Sequence, residues 1–255
     1  MRKALLIALA VATAGCTSLS LPPESTRDIV QVPAVGKFSK AKPGDVLPSG
    51  WQVWKLSSFK KATQYQLVID DGRTVMKATA RGSASGIAYP LNVDLKRHPV
   101  LRWRWKVPAL IKKADNTKRH TEDAPVRLVV TFSGDHNKLP LDERIFAQQF
   151  QMFTGAKLPY STLMYIWENH AAKDTIIPNL HTSRIRMIVA ESGAARLGQW
   201  REQTRNVYED YRRAFGEEPP PVKSIAIMTD TDNTGEQIDA YYGDIAFVAA
   251  PNEEP

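Results

Sequence analysis

An antiparallel β-sandwich of jelly-roll type with two short helices is the fold this sequence predicts, and three observations carry it. From residue 50 to 249, apolar and polar residues alternate with a period of two in about ten short segments. Turn-forming residues separate these segments, and only two stretches have helical spacing. Many strands over one continuous length with few helices favour a sandwich over a parallel α/β fold.

Residues 51–56 open the series. Residues 65–70 and 75–81 form a hairpin, because Asp70-Asp71-Gly72 puts glycine where a positive φ has no steric cost. After a strand at 86–93, residues 100–107 alternate strictly, with Leu101, Trp103, Trp105 and Val107 on one face and Arg102, Arg104 and Lys106 on the other. Residues 126–132 set Arg127 opposite Val126, Leu128 and Val130. A helix is predicted over 142–153, from the spacing of Ile145, Phe146, Phe150 and Phe153, with Gly155 to stop it. Strands follow at 163–168 and at 184–191, where Arg184 and Arg186 lie opposite Ile185, Met187 and Val189. A second helix at 207–215 ends at Gly216 and Pro219-Pro220-Pro221, and strands at 222–230 and 240–248 close the domain.

The composition excludes several classes. With 43% hydrophobic and 24% charged residues, a chain of 255 residues is ordinary for a globular protein and is not disordered throughout. Its one cysteine, Cys16, rules out an intramolecular disulfide and a cysteine-based zinc site. A net charge of +7, spread along the chain, is too small to indicate nucleic acid.

Met1-Arg2-Lys3 followed by an apolar run over 4–12 has the charged and hydrophobic parts of an export signal, and is too short to span a bilayer. Thr13-Ala14-Gly15-Cys16 resembles the lipobox of bacterial lipoproteins, with Thr13 in place of the usual Leu. That resemblance implies cleavage after residue 15 and lipid attachment at Cys16. Thr17, rather than Asp, follows the cysteine, which implies the periplasmic leaflet of the outer membrane. The expected organisation is a signal peptide over 1–15, a flexible Ser/Thr/Pro-rich tether over 16–37, one sandwich domain over 38–250 and a disordered tail over 251–255.

The blocks Gly50-Trp51-Gln52-Val53-Trp54-Lys55-Leu56, Leu101-Arg102-Trp103-Arg104-Trp105-Lys106-Val107, Leu163-Met164-Tyr165-Ile166-Trp167-Glu168-Asn169 and Thr229-Asp230-Thr231-Asp232-Asn233-Thr234-Gly235 resemble those of the bacterial domain of unknown function 3047 family. This resemblance implies no activity. The closing pattern around Tyr241-Tyr242-Gly243-Asp244 is more loosely similar to the last strand of galactose-binding-like and carbohydrate-binding-module jelly rolls. A fold of that kind hosts many functions.

Three sets of residues are candidates for chemistry. If their strands are neighbours in one sheet, Arg102, Arg104, Arg127, Arg184 and Arg186 form a cationic face for an anionic glycan, lipid headgroup or envelope polymer; otherwise they belong to an ordinary salt-bridged sheet. Glu168 or Glu191 is a candidate internal partner, and Trp167, Trp51 or Trp54, if exposed, a candidate for stacking on sugar rings. Asp230, Asp232 and Thr234 precede Gly235 as in the start of a calcium loop, with Asp244 to complete the set; an Asx-rich turn explains the same residues without metal.

For catalysis the best constellation is Glu168, His181, Glu191 and the Asp230/Asp232 pair, since two carboxylates flanking a bond suffice for glycoside hydrolysis. The histidines, at 98, 120, 136, 170 and 181, are scattered. The leading expectation is therefore an envelope lipoprotein whose jelly-roll domain binds a saccharide or anionic polymer without catalysis. A glycan hydrolase on the same scaffold, and an assembly protein that binds another envelope protein, are the alternatives.

Overall fold

Twelve strands stack in two sheets, and the alternation of the sequence is the reason. The computed structural model describes residues 35–45, 47–57 and 59–249. In chain order the strands are β1 (Gln52–Lys55), β2 (Gln64–Asp70), β3 (Arg73–Arg81), β4 (Ala84–Val93), β5 (Val100–Lys106), β6 (Arg127–Phe132), β7 (Ser161–Glu168), β8 (Ile176–Pro178), β9 (Ile185–Ser192), β10 (Arg201–Asn206), β11 (Val222–Asp230) and β12 (Gln237–Val248). The helices are α1 (Leu141–Thr154) and α2 (Val207–Phe215). A seven-stranded sheet runs β1-β4-β11-β6-β7-β9-β8 and a five-stranded sheet β10-β5-β12-β3-β2. The β-sandwich expectation holds, with one correction: β7 and β9 pair in parallel, because the chain crosses between them through β8.

All ten predicted strands and both helices are present. The hairpin at residues 70–73 is a turn with positive φ at both central residues, +50° at Asp71 and +68° at Gly72. Two strands were hidden from the sequence. β8 is too short to show a period. In β10 the residues beside the core-facing Trp105, Trp103 and Leu101 of β5 are Arg201, Gln203 and Arg205, not apolar ones. Charged residues turned inward are a known protection for a sheet edge, and they erase the hydrophobic alternation.

The core lies between the sheets. Trp103 packs edge-on against Trp105 at 5.4 Å and against Tyr165 at 5.0 Å, with Leu128, Val130, Ile227 and Phe247 around them. The Tyr242 hydroxyl crosses from β12 to β11, donating to the Met228 carbonyl at 2.6 Å. The fold takes in Val35 and Phe38, both buried, so the end of the predicted tether at 35–37 belongs to the sandwich. Trp51 explains this, since its indole N–H donates to the Gly36 carbonyl and its ring meets Phe38 at 4.9 Å. The signal peptide, Cys16, the tether up to residue 34 and the tail at 251–255 lie outside the described residues. Among the described residues, no helix is long and apolar enough to cross a membrane.

α1 is fastened to the sandwich chiefly through one carboxylate. Glu143 accepts from Thr182 Oγ1 and, at 2.6 Å, from the Ser183 N–H. Burial alone raises its pKa, but the Ser183 and Thr182 donors and the Arg184 charge outweigh that and hold it below the ordinary value. A depressed folded value means that this contribution is complete above the unfolded value of about 4.3 and is lost as pH falls through the folded one. Glu143→Ala should therefore cost about 1.5–3 kcal/mol. Hydrogen exchange should show α1 losing protection before the sheets as pH falls from about 6 to about 3.

Candidate functional site

Strand order divides the five predicted arginines among three places. Arg102 and Arg104 project from β5 on the outer face of the five-stranded sheet, opposite the core-facing Trp103 and Trp105. Arg127 lies on the outer side of the seven-stranded sheet, opposite the core-facing Leu128 and Val130. Arg186 shares its side of β9 with the core residues Ile188 and Ala190. With Arg184, it packs on the end of α2, their guanidinium carbons 6.0 and 5.3 Å from the Phe215 ring. One continuous cationic face is therefore not formed, because β5 belongs to a different sheet from β6 and β9, and β6 and β9 turn their arginines to opposite sides.

Arg102 and Arg104 stay together in a cleft of about 500 Å³, with Lys40, Arg73, Glu202, Thr204 and Asp244 on its walls. A β-bulge shapes it: Gly243 and Asp244 of β12 both lie between the pairs Tyr242–Trp105 and Ile245–Trp103, opposite Arg104. A Cβ on Gly243 would come within 2.4 Å of Arg104 Cγ and Nε, so glycine is what lets Arg104 lie across the strand. The bulge also aims Asp244 outward, where it accepts from the Ser39 N–H at 2.9 Å and hydroxyl at 2.5 Å.

The Arg104 guanidinium lies 4.4 Å from the Trp200 ring, and the Trp200 indole N–H donates to Asp70 Oδ2 at 2.8 Å. Asp70 also holds Lys106 Nζ at 2.5 Å. Partial burial pushes the Asp70 carboxyl up, and the Lys106 and Trp200 hydrogen bonds with the Arg104 charge bring it below the ordinary value. Among the described residues, Lys40, Arg73, Arg102 and Arg104 make no ion pair, although ion pairs fasten Arg127, Arg184, Arg201 and Arg205 elsewhere in the sandwich. The cleft therefore presents four cations without ion pairs against two carboxylates, Glu202 and Asp244, with the Trp200 ring against Arg104.

A second cleft, of about 460 Å³, lies over the outer face of the seven-stranded sheet, floored by Met164, Met228, Arg127 and Asp230 and rimmed by His120, His181 and Asp232. Arg127 is 2% exposed and grips Asp230 with two contacts, Nε to Oδ1 at 2.7 Å and Nη2 to Oδ2 at 3.0 Å. Nη2 also donates to the Glu122 carbonyl at 3.0 Å, and Asp230 accepts from the Ala124 N–H at 3.2 Å. Burial raises the Asp230 carboxyl, and with Asp123 and Asp232 outweighs the Arg127 charge, pushing it up to about 6. It remains ionised at neutral pH.

The calcium set separates in the same way. Asp230 and Asp232 meet Asp123, which the turn motif did not reveal, with one oxygen of each within 4.8 Å of the others. Asp244 is in the other cleft, and Thr234 gives its backbone N–H to Asp123 at 2.7 Å, a carboxylate from a distant segment. Arg127 and Lys60 Nζ, 2.5 Å from Asp232, already supply cations to this cluster. The donor set does not fit a calcium ion, which would have to displace them. Millimolar calcium should leave the thermal unfolding midpoint unchanged, whereas a rise of several degrees would show a site.

The remaining predicted residues are structural. Trp167 is buried, its indole N–H on the Gly193 carbonyl, and Trp51 is buried beside Phe38, so neither can stack on a ligand; Trp54 is half-buried at the β1 edge. Glu168 is 2% exposed and accepts from the His170 and Ala171 N–H groups, closing a turn. Glu191 is paired with Arg201 at 2.9 Å.

Residues 49–246 match the family described as Protein of unknown function (DUF3047). The chain belongs to that family. No curated protein matches it. Among solved structures it is similar to a family 12 xyloglucanase from Bacillus licheniformis in complex with ligand, at 6% identity and a TM-score of 0.45, covering 82% of this chain and 98% of that one. It is also similar to the cellulose induced protein Cip1, at 9% identity and a TM-score of 0.34, with coverages of 79% and 92%. An arabinose-bound α-L-arabinofuranosidase matches at 8% identity and a TM-score of 0.39, over 85% of this chain and 26% of its own. What sequence reasoning missed in this family member is Trp200, in a Gly198-Gln199-Trp200 stretch without alternation, and Arg73, which reads as a turn residue.

Proposed function

We propose that this domain binds an anionic saccharide polymer of the cell envelope in the cleft on the outer face of the five-stranded sheet, without catalysis. The carrying observation is the convergence of Arg102, Arg104, Arg73 and Lys40, four cations that make no ion pair among the described residues, against two carboxylates, Glu202 and Asp244, in the same cleft. Guanidinium forks suit carboxylate or phosphate groups, Thr204 and Glu202 suit hydroxyls, and the half-buried Trp200 ring stacks on Arg104 behind them. The rest of the reading is the lipoprotein one: Cys16 carries the lipid and the tether extends the domain from the outer membrane into the periplasm.

Two arrangements favour binding over hydrolysis. In the cationic cleft, Asp244 has both oxygens engaged by Ser39. In the other cleft, Asp230 is held by Arg127, and the three aspartates gather on one another instead of facing each other across a gap.

The test is co-sedimentation or calorimetry with polygalacturonate, a carboxylated polymer, against a neutral glucan, with an assay for new reducing ends. Saturable binding of the charged polymer that weakens with salt, with no new reducing ends, is the expected result. Equal affinity for both polymers contradicts the reading, and release of reducing ends replaces it with hydrolysis.

A further inference from the structure

The outward side of α1 carries a short row of apolar side chains, with Gln148 within it. Leu141 is 66% exposed, Ile145 45%, Met152 72% and Phe153 73%. At about 100° per residue, Leu141, Ile145 and Met152 fall within roughly 40° of one another around the helix, and Phe153 is exposed about 80° further round. A surface helix of a globular protein turns such a stripe to the core. Here the helix is held by its opposite side, through Glu143 on Thr182 and Ser183 and through Phe146 stacked on His181.

Beside the stripe runs a groove of about 290 Å³ on the flank of α1, walled by Arg144, Lys157, His136, Gln148 and Gln151. No carboxylate lines it, and neither Arg144 nor Lys157 makes an ion pair among the described residues. An apolar stripe with cations along its border is the pattern of a helix that lies in a lipid interface. The apolar side chains enter the acyl boundary and the cations meet phosphates at headgroup depth.

We infer that α1 is an interfacial membrane helix that seats this face of the sandwich on an anionic phospholipid surface, with a headgroup phosphate in the Arg144–Lys157 groove. The occupant is a bilayer and not a protein, because the cationic groove complements anionic headgroups. The face is independent of the saccharide cleft, which uses β5, β10 and β12.

The test places single cysteines along α1 of the full chain in a Cys16→Ser background, each labelled with an environment-sensitive fluorophore. Vesicles of phosphatidylglycerol and phosphatidylethanolamine are compared with vesicles of phosphatidylcholine. Probes at Leu141→Cys, Ile145→Cys and Met152→Cys should shift to the blue and lose iodide quenching on the anionic vesicles. A probe at Lys96→Cys on another loop should not. Arg144→Glu with Lys157→Glu should weaken the response about 30-fold or more.

If the chain sediments with vesicles while the α1 probes stay unchanged, its apolar amino terminus is what binds and the inference is wrong. A blue shift that grows with protein concentration without vesicles assigns the stripe to a second copy, and also overturns it.

Discussion

Replacing Arg127 with Met is expected to destabilise the domain by about 3–5 kcal/mol, the largest effect of any single substitution argued here. The change keeps much of the side-chain volume and removes the cation that lowers the Asp230 pKa, leaving that carboxyl buried with only the Ala124 N–H and driving it to take up a proton. It also releases the Glu122 carbonyl, so the 122–125 segment loses its tie to β6 and β11. Urea unfolding measures the loss. Arg127→Met combined with Asp230→Leu should recover most of it, since replacing both members of a buried ion pair by apolar groups is often close to neutral. A single variant as stable as the natural chain would show that the pair carries little of the fold.

The second large effect falls on binding. Arg102→Ala with Arg104→Ala should weaken polygalacturonate binding about 30-fold, from about 1 kcal/mol for each screened contact. Thermal unfolding should barely change, because neither side chain is buried or paired. Arg102→Lys with Arg104→Lys should give an intermediate loss, keeping the charge but not the two-pronged donor geometry. Gly243→Val should reproduce part of the alanine effect through Arg104 alone, since its Cβ would occupy the space where Arg104 lies. Its backbone is not in the left-handed region, so the cost to the fold comes from displacing the Arg104 side chain.

The sequence made the strands legible because a half-buried strand must alternate, and it made the side of each arginine within its own strand legible for the same reason. It did not make the sheet legible. Arg102 and Arg127 read alike, each opposite a run of core residues, yet β5 and β6 lie in different sheets, and a one-dimensional pattern holds no strand order. Likewise Asp230 and Asp232 announced a turn, while the residues that decide their chemistry, Arg127, Lys60 and Asp123, come from three other segments. The tryptophans were misread because bulk and polarity are the same for a buried and an exposed indole. Trp167 went inward with the strand period, Trp51 packed on Gly36 and Phe38 ahead of β1, and Trp200, from a stretch with no period, came to stand beside Arg104.

The most direct measurement is an NMR titration of the folded domain with an oligogalacturonate, following the tryptophan indole and arginine Nε–H signals. The account predicts that the Trp200 indole and the Arg102 and Arg104 Nε–H groups move together and saturate, while those of Trp103, Trp105 and Arg127 stay in place. Saturable shifts at Arg127 with none at Trp200 would move the ligand to the other cleft and contradict the account.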